Sequence, residues 1–366
     1  MLNSDLITQY MFSVLAGWPC IDRLAQRFGR VEDVFCIVLP EFIPHLKNPC
    51  FYEYSDKRDK TLRCLPYFYI IGMDKSGTTD LNSRITQHPS VVGNRGYNGK
   101  ETNYWSWYRY GVHNKQSGRQ NQSLDVYLDN FVDLSNLILG DKSKFNLITG
   151  DATPMDLWDF RSWQMIPQNF GQEEPDVLTP HLLKYIHRDR PPKLLVQFRE
   201  PIDRLYSDYV YHKYGRTPEE FHNHSLQAVK MMNDCLNNHT RRQCFFSDKI
   251  YQDLPVRLHL GCYVVFLREW LSVFPRSCFM ITTIDEYQKD MKNMLTKLFT
   301  FLDLSPLTEI KMSEILAQSR RLVTEDKKGA VLPETVQVLR RFYDGYNKEA
   351  AKLLADPHFL WKGHYQ

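Results

Sequence analysis

Four short apolar runs bounded by polar residues punctuate the chain, at 66–72 (PYFYIIG), 145–151 (FNLITGD), 193–199 (KLLVQFR) and 278–286 (CFMITTIDE). Each has the length of a strand, and unbroken apolar character is what a strand covered on both faces requires. Between and after them, apolar residues recur at helical spacing over 78–88, 202–214, 218–233, 256–274, 287–302 and 333–354, with Pro89 closing the first of these. Strands alternating with helices predict an α/β fold, a central parallel sheet with helices on both faces. Residues 1–64 depart from this rhythm, mixing short apolar runs with prolines and cysteines, and are expected to form an N-terminal extension packed on a main domain of 65–366. No internal repeat is visible.

Composition narrows the picture. Hydrophobic residues make up 43% of 366 positions, enough for a large core and too many for a disordered chain. Lysine and arginine total 46 against 43 acids, so net charge gives no argument for nucleic acid. Basic residues do cluster locally, at 57–60, 188–193, Arg241 and Arg242, Arg320 and Arg321, Lys327 and Lys328, and Arg340 and Arg341. Any one cluster reads as a solvated face; several together suit a polyanionic substrate.

The eight cysteines include no CxxC pair and no Cys/His spacing of a zinc site. Sequons at Asn121, Asn223 and Asn238 are glycosylation sites if the chain enters the secretory pathway, and Cys235 and Cys244 are placed to close a small disulfide loop in the same oxidising compartment. No apolar run reaches the roughly 18 to 20 residues that cross a bilayer. The stretch YMFSVLAGWPC is too short and has no basic segment before it. The chain is therefore expected to be soluble, or to lack an anchor that belongs to it.

Chemistry concentrates in YIIGMDKSGTTDL, Tyr69 to Leu81. Gly72 and Gly77 have the spacing of a Walker loop, but Thr78 follows the second glycine where that loop has its lysine, and the lysine stands earlier, at Lys75. Glycines that let the backbone approach an anion, followed by a helix start at Thr78 and Thr79, still make a cradle for a phosphate-like group. An ordinary strand-to-helix loop is the competing reading. Farther on, VQFREPIDRLYSDYVYHK sets Arg199 at a strand end and Ser207 eight positions later, a pair able to hold a second phosphate through charge-assisted bonds.

Taken together these segments resemble the sulfotransferases that use 3′-phosphoadenosine 5′-phosphosulfate (PAPS). The resemblance covers about 66–360. It implies that Lys75, Ser76, Gly77, Thr78 and Thr79 cradle the 5′-phosphosulfate. An Arg-x-Pro-x-x-Arg-x-x-Ser segment, here Arg199, Pro201, Arg204 and Ser207, is implied to hold the 3′-phosphate, with a late element at Lys327, Lys328 and Gly329 closing over it. In GKETNYWSWY, Lys100 and Glu101 match the Lys-Glu pair of heparan-type members, which makes Glu101 the expected base and Lys75 the cation that neutralises the leaving phosphate without a metal. GDATPMDLWD resembles a Gly-Glu-Lys-Thr-Pro segment that helps hold the acceptor, so Lys100, Asp151 and Thr153 are expected acceptor contacts, but Asp151 and Ala152 stand in place of its Glu-Lys pair. Tyr104, Trp105, Trp107 and Tyr108 divide between packing and groove.

The resemblance is nearest to Golgi members acting on chondroitin sulfate. It implies transfer of the sulfuryl group to the 6-hydroxyl of N-acetylgalactosamine 4-sulfate in chondroitin or dermatan sulfate, in the Golgi lumen, by the ectodomain of a type II membrane protein. Competing readings are another glycosaminoglycan acceptor, a nucleotide kinase, and a non-catalytic glycosaminoglycan-binding protein.

Overall fold

The computed structural model describes residues 18–21, 32–54, 60–111, 122–319 and 329–364. An antiparallel hairpin of β1 (Cys50–Tyr54) and β2 (Lys60–Cys64) precedes a parallel sheet. That sheet is built from β3 (Phe68–Gly72), β4 (Val91–Val92), β5 (Ile148–Asp151), β6 (Lys193–Phe198) and β7 (Phe279–Thr283) in the order β4-β5-β3-β6-β7. Every pairing within it is parallel. Five helices frame the site: α1 (Thr78–Ile85), α2 (Pro201–Tyr211), α3 (Pro218–Asn238), α4 (Tyr263–Val273) and α5 (Pro333–Leu354).

The continuous apolar strands follow from burial on both faces. In β3, Tyr69 and Ile71 enter one core, with Val34, Phe51, Leu194, Val196, Ile202 and Val264, while Phe68 and Ile70 enter the other, with Leu81, Ile85, Leu195, Leu298 and Phe299. Successive side chains of a strand point to opposite faces, so both must be apolar when helices cover both. The expected fold class is the observed one.

Strands β1, β2 and β4 were not expected, several other limits shift by a few residues, and three expected elements break or stop for a visible reason. The helix expected over 287–302 is two helices, Ile284–Lys289 and Met291–Phe301, because Asp290 leaves helical geometry and caps the second by accepting from Asn293 N. The strand expected over 278–286 stops at Thr283, where Thr283 and Glu286 form a capping box. The helix expected over 256–274 opens as a 3-10 turn, Leu258–Gly261, before α4; a Cβ on Gly261 would lie 2.8 Å from the Tyr343 ring.

Disulfides join Cys20 to Cys36, Cys50 to Cys64 and Cys235 to Cys244. The last was expected, while the first two were not. Val34, Phe35, Leu39, Phe42 and Phe51 all belong to the main core cluster.

Strand order sets the location of the site. The chain leaves β3 toward β4 and β5 on one side, whereas β6 leads to β7 on the other. Neighbouring strands whose continuations diverge open a crevice at their carboxyl ends, where α/β sheets bind ligands. The segments emerging there are the loop after Gly72 and the turn at Arg199.

Candidate active site

The loop from β3 to α1 is bound tightly to β6. Met73 N donates to Gln197 O at 3.0 Å, Ser76 N to Met73 O at 3.2 Å, and Gln197 Nε2 to Ser76 O at 2.6 Å. Lys75 and Gly77 take left-handed backbone, φ 63° and 80°, which is costly at the lysine and free at the glycine. A Cβ on Gly77 would also lie 3.0 Å from Ile284 and 3.1 Å from Gln197 Nε2. As the N-cap of α1, Gly77 offers no side chain to the first-turn N–H groups, which have no carbonyl partner inside the helix. Ser76 Oγ is buried and has no hydrogen-bond partner among the described residues. Unpaired donors, a positive helix end and an orphaned hydroxyl fit a bound phosphate-like anion.

Lys75 extends over the Tyr211 ring, its Nζ 3.5 Å from the centroid. Burial lowers its pKa to about 8, against the opposing pull of Asp208 and Asp74 and with the help of Arg199. Beneath the loop lies a buried ion network. Arg257 donates to both oxygens of Asp208, through Nε at 2.8 Å and through Nη2, and its Nη1 is 3.8 Å from Asp74 Oδ2. Trp158 Nε1 donates to Asp74 at 3.1 Å, and Arg204 Nη1 is 3.7 Å from Asp208. Burial alone would raise the Asp208 pKa, but Arg257 and Arg204 outweigh it and hold the carboxyl below its usual range. His212 Nε2 accepts from Arg257 Nη2 at 2.9 Å, and burial followed by that cation lowers its pKa, so the ring is neutral.

Arg199 follows β6 beside the loop, with Nη1 3.5 Å from Lys75 O and its own carbonyl accepting from Tyr263 OH at 2.6 Å. Glu200 caps α2 by accepting from Asp203 N at 2.7 Å. Ser207 sits on the same helix and is nearly buried. Arg204 turns inward, fully buried, donating to Arg257 O at 2.9 Å. Tyr206 OH donates to Gly329 O at 3.0 Å, which brings the late glycine, in left-handed backbone at φ 86°, against the helix that carries Ser207. Lys327 and Lys328 lie outside the described residues.

Lys100 and Glu101 come from a tight turn that begins at Gly96, where a Cβ would fall 2.4 Å from Glu101 O. Asn94 Nδ2 and Ala152 N both donate to Lys100 O, at 2.8 and 3.0 Å, and pin that turn to the segment following β5. Buried Lys100 donates to Glu101 Oε1 at 2.6 Å and reaches Thr78 Oγ1 at 3.4 Å. One ammonium thus joins the carboxylate to the first residue of the phosphate-loop helix, and Glu101 keeps part of its side chain open to solvent.

Asp151 and Thr153 do not face a groove. They are 0% and 1% exposed, and Asp151 receives Thr102 Oγ1, Thr102 N at 3.3 Å, Thr153 Oγ1 at 2.7 Å and Tyr127 OH at 3.3 Å. Thr153 Oγ1 is 3.1 Å from Asn103 N. The direct acceptor contact expected of these two side chains is replaced by a hold on the backbone just after Glu101. Burial raises Asp151 to a pKa of about 6 even against those donors.

Among the aromatics, Tyr104 and Trp105 are core, with Tyr104 stacked on Tyr127 at 4.5 Å, while Trp107 Nε1 donates to Asp159 at 3.1 Å. Asn223 and Asn238 are exposed on α3; Asn121 is outside the described residues. Asp74, Asp208, Tyr211 and Arg257 were not singled out from the sequence. Only Asp208, four residues after Arg204 on one helix face, carried a local signal.

A parallel sheet with an anion cradle at its switch point, a lysine inside the loop and a carboxylate tied to the next helix defines a phosphate-loop-like group-transfer enzyme. Residues 65–330 match the Sulfotransferase domain family. Carbohydrate sulfotransferase 15 of Homo sapiens is 31% identical over 383 residues, covering 90% of this chain and 67% of the relative, and the Mus musculus protein of that name is 30% identical with the same coverage. Among solved structures, a sulfotransferase from Alicyclobacillus acidocaldarius aligns with a TM-score of 0.47 at 17% identity, over 80% of this chain and 96% of its own. The chain belongs to the sulfotransferase family and, within it, to the PAPS-dependent carbohydrate sulfotransferases.

Proposed function

We propose that the protein transfers the sulfuryl group of PAPS to the 6-hydroxyl of N-acetylgalactosamine 4-sulfate in chondroitin or dermatan sulfate, with Glu101 as the base. The observation that carries the mechanism is Lys100, bonded to Glu101 Oε1 and reaching Thr78 Oγ1, because it sets a carboxylate beside the anion cradle. The similarity to carbohydrate sulfotransferase 15 supports a sugar acceptor; the particular sugar and position rest on the sequence resemblance.

PAPS supplies an activated sulfuryl group and a phosphate leaving group. In this reading the loop N–H groups of Gly77 to Thr79, the Ser76 hydroxyl and the Lys75 ammonium hold the 5′ end. Arg199 and Ser207, with Lys327, Lys328 and Gly329, hold the 3′-phosphate. Lys75 neutralises charge as it grows on the departing oxygen, a role for which a fixed ammonium needs no metal. Glu101 accepts the proton of the acceptor hydroxyl as that oxygen bonds to sulfur and the bond from sulfur to phosphate breaks. Asp151 and Thr153 act through Thr102 and Asn103, fixing the base rather than touching the sugar.

The same reading places the enzyme in the Golgi lumen as the ectodomain of a type II membrane protein. Three disulfides and exposed asparagines in two sequons support an oxidising, glycosylating compartment. Among the described residues no helix is long and apolar enough to cross a membrane.

Glu101→Gln tests the mechanism. A lost general base lowers kcat by about 10²- to 10⁴-fold, while affinity for the product nucleotide, 3′-phosphoadenosine 5′-phosphate, stays at the wild-type value by calorimetry. Wild-type turnover in this variant would remove Glu101 from the reaction.

A further inference from the structure

Beyond the Lys75 contact, the chain turns a corner at the end of α2 that the transfer chemistry leaves unused. Tyr211, His212, Lys213, Tyr214 and Arg216 are all exposed, and the two tyrosines keep 56% and 41% of their surface open. The corner is nonetheless firmly built. Lys213 takes left-handed backbone at φ 57°, and a Cβ on Gly215 would fall 1.8 Å from Tyr209 OH, so only glycine fits there. Arg216 N donates to Glu220 Oε2, which ties the corner to the start of α3. His212 accepts from buried Arg257 and stacks on Tyr214 with ring centroids 5.3 Å apart.

The corner is also joined to the reacting groups. Arg257 lies 3.8 Å from Asp74 in the phosphate loop, and Lys75 Nζ stands over the Tyr211 ring. Rigid exposed aromatic surface beside an active site is a binding feature more than a packing one. Lys213 and Arg216 are exposed cations, and Arg216 acts electrostatically on the neighbouring Glu220 carboxylate. Of the nearby acids, Asp208 is buried and neutralised by Arg257, whereas Glu219 and Glu220 are exposed opposing charges, and the Glu220 carboxylate accepts from the N–H groups of Arg216 and Thr217 and attracts the Arg216 guanidinium.

We propose that this corner is a second acceptor subsite, which holds a sugar unit of an anionic polysaccharide adjacent to the one that receives the sulfuryl group. A pyranose face packs on Tyr211 and Tyr214, and a sulfate or carboxylate lies between Lys213 and Arg216. The assignment rests on the reading above for the kind of polymer and on the corner's own charge and geometry for the rest. It extends acceptor recognition away from the buried 151–153 segment, which offers the sugar no cation.

The test compares wild type with a double variant, Lys213→Asn, which suits left-handed backbone, and Arg216→Gln, and with Tyr214→Leu. Three quantities are measured: direct binding of polymeric chondroitin sulfate across a salt series, KM for the polymer and for a short oligosaccharide, and affinity for the product nucleotide. Loss of two surface cation contacts weakens polymer binding by about tenfold, flattens its salt dependence and raises KM for the polymer. Nucleotide affinity and thermal melting serve as controls and stay at wild-type values. Unchanged polymer binding and KM in the double variant would overturn the subsite. If wild type transfers nothing to chondroitin but binds another sulfated polysaccharide that the double variant loses, the subsite stands and the acceptor proposed above falls.

Discussion

At the scale of single residues, Lys75 ties the account together. Its ammonium is stabilised by Asp208, Asp74 and the Tyr211 face but weakened more by burial, so its pKa of about 8 lies well below that of a free lysine. Below that pH the side chain is a cation; above it, neutral. Affinity for the product nucleotide should therefore decline as pH rises through about 8 in the wild type. In Lys75→Arg, whose guanidinium stays charged, the decline should disappear. A wild-type affinity that is flat to high pH would mean that another group supplies the charge. Arg199 was legible in the sequence because it follows directly on an apolar strand, and Lys75 because it stands between two glycines at the spacing of a phosphate loop. Tyr211 and Arg257 were not, since neither belongs to a local pattern and each meets the loop only through the folding of distant segments. Asp151 was legible as a position but not as a role: the resemblance of its segment to a Gly-Glu-Lys-Thr-Pro element singled it out, whereas in the folded chain it is buried and grips Thr102 and Thr153.

The start of α2 shows an element exchanging stability for position. Glu200 caps this helix while almost fully buried, and burial raises its pKa from 4.5 to about 8. Between those values the folded state keeps a proton that the unfolded chain releases, so stability falls as pH rises through this window and the loss is complete above about 8. Glu200→Gln keeps an acceptor for Asp203 N and removes the titration. Its Tm should exceed that of wild type by a few degrees near pH 8 and match it near pH 4.5. A variant less stable than wild type at pH 8 would show that the charged carboxylate is favoured in place. The element boundaries reflect the same competition between local and tertiary preference. Strands β3, β6 and β7 were visible as apolar runs because helices cover both faces of the sheet. Asp290 could have announced the break between the helices that flank it, since aspartate is a favoured N-cap, but the apolar periodicity runs straight through it. The hairpin of β1 and β2 was hidden because it is held by antiparallel backbone pairing and the Cys50–Cys64 bond, which no periodicity records.

Seen whole, the described residues bring the phosphate loop, Arg199 and the support for Glu101 to one end of the sheet. The phosphate loop follows β3, Arg199 follows β6 and the support for Glu101 follows β5, three adjacent strands in the order β5-β3-β6. That convergence was implicit in the alternation of strands and helices, but strand order, and with it the switch point between β3 and β6, belongs to the folded chain. Lys75 reaches from the phosphate loop to the Tyr211 ring, at the edge of the exposed corner. The measurement that bears most directly on the central claim is transfer of labelled sulfate from PAPS to a panel of chondroitin, dermatan, heparan and keratan chains, followed by disaccharide analysis. Label on the 6-position of 4-sulfated N-acetylgalactosamine is the predicted result. Label on another chain or position, or none while the nucleotide product still binds, would contradict it.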